Sequence, residues 1–86
     1  MKVVYTKHAL EKFQFLKRFG WIISKGTIRQ TVTTPHWRGV SRFGQETAMS
    51  LLDPTHILRV IFDQEGDRLR VITFHPARRG TYESTL

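Results

Sequence analysis

The rhythm of hydrophobic and polar positions changes near Trp37. Before it the chain reads as helical: Ala9, Leu10, Phe13 and Leu16 recur at helical spacing, with Leu10, Phe13 and Leu16 on one face. Thr6 suits the N-cap of that helix and Gly20 its C-terminal stop. Residues 3–5 ahead of it predict a short first strand. Ser24 caps a second, shorter helix carrying Ile28 and Val32, which has to end before Pro35 because the residue before proline avoids helical geometry. Gly26 weakens that helix.

After Trp37 the pattern is that of strands. Residues 35–39 are expected as a loop leading into them. Residues 47–52, 57–62 and 68–75 are expected as strands, with turns at 53–56 and 64–67. Pro76 is expected to end the last strand, since it has no N–H to give to a ladder. The expected order is β-α-α-β-β-β. That is an α+β fold in which two N-terminal helices are packed on one face of an antiparallel sheet, forming a single domain over residues 1–86. With residues 65 and 66 at the hairpin tip, Leu58, Val60 and Phe62 share a face with Leu69, Val71, Thr73 and His75, which should meet the helices. The opposite face then carries Ile57, Arg59 and Ile61 beside Arg70, Ile72 and Phe74. A bulge would disturb this pairing.

Charge adds a partner to this picture. Fourteen Lys and Arg against seven Asp and Glu leave a net charge of +7, a field that attracts nucleic acid, an acidic protein or an anionic surface. All the lysines lie at or before Lys25. Beyond it the cations are arginines, and several fall on expected strands. Arginine presents a planar donor fork that grips phosphate at two points. Arg59 and Arg70 are therefore candidate phosphate-binding residues on neighbouring strands. Arg78, Arg79 and Tyr82, just after Pro76, are candidates for the lip of the same cleft. His75 at a strand end, and His8 in the first turn of the first helix, are candidate proton carriers. Each has a plain structural alternative: solvated strand arginines, a basic tail, a hydrogen-bonded histidine and a residue beside a helix cap.

Several chemistries are not indicated. There is no cysteine for a thiolate site or a disulfide, and the four histidines show no metal-ligand spacing. No glycine-rich phosphate fingerprint or close carboxylate pair is present. A cofactor is not expected. No apolar run approaches the roughly 20 residues that span a bilayer, and residues 1–8 lack a signal-peptide stretch, so a cytoplasmic location away from membranes is expected.

The segment Thr6-Lys7-His8-Ala9-Leu10-Glu11-Lys12, and Val71-Ile72-Thr73-Phe74-His75-Pro76-Ala77-Arg78-Arg79 with Tyr82, resemble small uncharacterised bacterial and phage domains near the RelE/ParE toxin superfamily, with BrnT-type toxins as neighbours. The resemblance implies a toxin-like fold of two helices on an antiparallel sheet. It also implies metal-independent cleavage of messenger RNA, often on the ribosome, and an acidic antitoxin as protein partner. In that reading His75, Tyr82, Arg78 and His8 serve catalysis while Arg59, Arg70 and Arg79 hold the substrate. The sequence departs from the family in having hardly any room for a third helix after Tyr82 and no lysine on the middle strands. Two alternatives accompany it: a non-catalytic module that binds nucleic acid or an acidic protein, and a ParE-like toxin directed at DNA gyrase.

Overall fold

The computed structural model describes residues 1–85. Among them the order is β1 (Lys2–Tyr5), α1 (Lys7–Lys17), α2 (Lys25–Thr33), β2 (Trp37–Val40), β3 (Glu46–Asp53), β4 (His56–Glu65) and β5 (Arg68–Arg78), followed by a 3-10 turn at Glu83–Thr85. The strands form one sheet in the order β1-β5-β4-β3-β2. Strands β2 to β5 are antiparallel neighbours, whereas β1 runs parallel to β5. No helix among the described residues is long and apolar enough to cross a membrane.

The expected β-α-α-β-β-β order with an antiparallel sheet is thus corrected to β-α-α-β-β-β-β with a mixed sheet. The additional strand, β2, falls where a loop was expected. Its short, glycine-containing sequence looks irregular, but a tight turn holds it to β3. Ser41 N–H donates to the Gln45 carbonyl at 2.8 Å, Gly44 N–H donates to the Ser41 carbonyl at 2.9 Å, and Gly44 takes a φ of 80° that suits glycine. The parallel pair follows from the connection. The helices carry the chain from β1 at one edge to β2 at the other, and the antiparallel meander then brings β5 back to lie parallel beside β1.

Each helix starts where its cap residue predicts. Thr6 Oγ1 accepts from Ala9 N–H at 3.0 Å, and Ser24 Oγ accepts from Thr27 N–H at 3.0 Å. Ala9 and Leu16 of α1, and Ile28 and Val32 of α2, join Ala48, Leu58, Val60, Phe62, Leu69, Val71 and Phe74 in one buried cluster. Phe13 adds a ring contact to Phe74 at 4.7 Å between centroids.

Two features of β5 depart from expectation, and both matter for the outer face. The register steps between Ile61 and Phe62, which pair with Thr73 and Val71, so Ile72 is an extra residue in a bulge. Phe74 therefore turns into the helix-side core, while Thr73 and His75 turn outward beside Ile61 and Arg59. The expected placing of His75 with Leu58 and Val60 is reversed. Thr6 secures the bulge: its hydroxyl donates to the Ile72 carbonyl at 2.9 Å and its N–H to the Val71 carbonyl at 3.0 Å. The second departure is that Pro76 does not end the strand, which continues to Arg78 with Pro76 opposite Leu58. Strand β1 pairs no further along β5 than Val71, so beyond it a missing N–H on that edge removes no ladder bond.

Candidate functional site

The register aligns Trp37, Met49, Arg59 and His75 in a single row across β2, β3, β4 and β5, on the face away from the helix-side cluster. The C-terminal segment folds back over this row. Arg79 N–H donates to the Thr55 carbonyl at 2.9 Å, and Gly80 turns the chain with a φ of 91°. The Glu83 carboxylate, almost wholly buried, accepts from Arg79 Nε at 3.0 Å and from Gly80 N–H at 2.9 Å. The Arg79 guanidinium lies 5.3 Å from the Trp37 ring centroid. Beneath this strap Met49 and Ile57 are buried although they lie outside the helix-side cluster.

Tyr82 occupies the middle of the strap. The Arg59 guanidinium stacks 4.1 Å from its ring centroid, and the His75 ring meets it edge-on at 5.7 Å. From the other side α1 brings two more groups. His8 Nε2 is 3.1 Å from Thr73 Oγ1, and the Lys12 ammonium acts electrostatically on His75. Burial first, and then the Arg59 and Lys12 charges, lower the His75 imidazole from its ordinary value to about 4. It is therefore neutral at pH 7 and has a lone pair to offer. His75, Tyr82 and Arg59 thus stand as neighbours on one face, and His8, far from them in the chain, reaches its border at Thr73. Together the first three bring an unprotonated imidazole, a phenol and a guanidinium to one place.

The other three expected site residues lie elsewhere or are engaged. Arg70 grips Asp63 with two bonds, at 3.2 and 2.8 Å, further along the hairpin from Arg59. The bond from Arg70 is the main reason the Asp63 carboxyl is held below its usual value. Arg79 is tied to Glu83 and anchors the strap. Burial alone would raise the Glu83 carboxyl, but its backbone hydrogen bonds and Arg79 together hold it below the usual value. Arg78 is exposed at the end of β5 with the strand parity of Phe74, so it projects on the helix side.

Sequence reasoning passed over Lys12 and Thr73. Lys12 follows His8 by one helical turn, a spacing that puts both on one side of α1. It also passed over the turn between β2 and β3, where Ser41, Arg42, Phe43 and Gln45 join Arg59, Ile61 and Tyr82 around an open pocket of about 540 Å³. Among the described residues no group of three or more His, Cys, Asp or Glu side chains is placed to hold a metal ion.

No family model, no curated protein and no solved structure matches this chain. The resemblance to the RelE/ParE toxins therefore rests on the two sequence segments that suggested it.

Proposed function

We propose that the protein is a metal-independent ribonuclease of toxin type. The reading is carried by the convergence of His75, Tyr82 and Arg59 on one face of a basic molecule, with Lys12 acting on His75 and His8 beside Thr73 at its border. In the proposed reaction a ribose 2′-hydroxyl attacks the adjacent phosphorus while its proton passes to the neutral His75 imidazole. The bond from phosphorus to the 5′-oxygen breaks, and the leaving oxygen takes the Tyr82 phenolic proton. The products are a 2′,3′-cyclic phosphate and a 5′-hydroxyl, and both side chains regain their starting states by proton exchange with water. Arg59 and Lys12 balance the charge that develops on the phosphoryl oxygens. His8 and Thr73 border the site. An acidic antitoxin covering this face, in the cytoplasm, belongs to the same reading.

One observation favours a second reading, a binding module without catalysis. An imidazole held at about 4 is a weak base, and proton transfer to it gains little driving force. The two readings separate when a defined RNA is incubated with the protein in a metal chelator, with and without ribosomes. The ribonuclease gives fragments with 2′,3′-cyclic ends. Their formation falls by about 100-fold or more in His75→Ala and Tyr82→Phe, and the acid limb of kcat/KM lies near the value of about 4. Salt-sensitive binding of intact RNA sinks the ribonuclease and leaves the module.

A further inference from the structure

The turn between β2 and β3 has a firm scaffold and an exposed aromatic tip. Ser41 is buried, and its Oγ accepts from Phe43 N–H at 3.3 Å and from Gln45 N–H at 3.1 Å. At the tip of this fixed turn Phe43 is 76% exposed, beside Val40 at 70%. Arg42 lies against that ring, with its guanidinium 4.9 Å from the centroid. Across the pocket stands a second arginine–aromatic pair, Arg59 on Tyr82. The pocket thus combines two π faces, two guanidinium groups and the amide of Gln45, within the size range of small-molecule sites.

From this we infer that the β2–β3 turn is a base-stacking subsite for single-stranded RNA. Phe43 carries one unpaired base, and Arg42 and Arg59 hold the phosphates on either side of it. The inference rests on the proposed function insofar as the strand it holds is the one presented to His75 and Tyr82. Aromatic rings accept any base by stacking, while arginines supply the charge complement to the backbone. A protein surface would satisfy Phe43 equally well, but the flanking Arg42 and Arg59, on a chain of net charge +7, favour a polyanion.

The test uses a short fluorescent 2′-O-methyl oligonucleotide, which binds but offers no attacking 2′-hydroxyl, and a matching oligonucleotide lacking bases. Phe43→Ala, whose side chain is exposed, is compared with the natural protein by fluorescence anisotropy at low salt. Stacking predicts that Phe43→Ala weakens binding of the complete oligonucleotide by about 10-fold. The base-free oligonucleotide should bind both proteins alike. Equal affinity of both proteins for the complete oligonucleotide overturns the subsite and leaves Phe43 as a residue for protein contact. Cleavable RNA run in parallel keeps the two ideas apart. Cleavage without the Phe43 effect retains the ribonuclease and loses the subsite, and the Phe43 effect without cleavage does the reverse. Failure of the natural protein to bind any oligonucleotide overturns the subsite, and the parallel cleavage assay alone then decides the ribonuclease.

Discussion

His75 is held as a neutral base by its surroundings, and this has a thermodynamic counterpart. In the unfolded chain an imidazole takes up a proton near pH 6.5, whereas in the folded protein it does so only at about 4. Between those values the unfolded state binds more protons. The contribution of His75 is thus fully present above pH 6.5 and is lost as pH falls toward 4. After a discount for its partial contact with water, the loss amounts to about 1–2 kcal/mol. Carboxylates such as Asp63 and Glu83 are held below their usual values, so they lose their contributions mainly at lower pH. The interval from pH 6.5 to 5 is therefore dominated by histidine. Urea denaturation across it should show the natural protein losing stability more steeply than His75→Gln. Parallel curves would mean that the imidazole titrates normally.

Two elements decide whether His75 belongs to a site: the bulge at Ile72 and the strap from Arg79 to Glu83. The strap is held by Glu83 and by the backbone form of Gly80. Releasing it should restore water to the His75 ring, since Tyr82 would no longer cover it. Alanine at Gly80, with its φ of 91°, strains the backbone by about 1–2 kcal/mol and loosens the strap. Glu83→Ala removes the carboxylate that holds both Arg79 and Gly80. In either variant the His75 ring protons, followed by NMR, should titrate higher than about 4 and closer to 6.5. An unchanged midpoint would show that the strand environment alone sets the imidazole. These elements also mark how far the sequence could be read. The caps at Thr6 and Ser24 are local signals, and they place α1 and α2. The meander of β3 to β5 is legible from alternation and turn residues. Strand β2 is not, because its pairing is supplied by a turn whose key bonds come from Ser41. The bulge is not legible either, since it is secured by Thr6, from a distant part of the chain. Without the bulge, alternation sends His75 inward and Phe74 outward, and the candidate site dissolves on paper.

At the scale of the whole molecule, the sequence displays a net charge of +7 but not which cations are already spent. Arg70 is committed to Asp63 and Arg79 to Glu83, so neither offers a full charge to a polyanion. The cations around the pocket and the row are Arg42, Arg59 and Lys12. Binding of single-stranded RNA should then release counterions in proportion to about three neutralised phosphates. A plot of log K against log salt should have a slope of about −2, taking about 0.7 per phosphate. Arg59→Ala should reduce that slope by about 0.7, whereas Arg70→Ala should leave it unchanged. The contrast discriminates sharply, because the two arginines are alike in sequence, lying on adjacent strands of one hairpin, and differ in what already neutralises them. Equal effects of the two substitutions would mean that RNA meets the molecule as a diffuse positive cloud. A slope sensitive to Arg59 alone would mean that it meets an organised face.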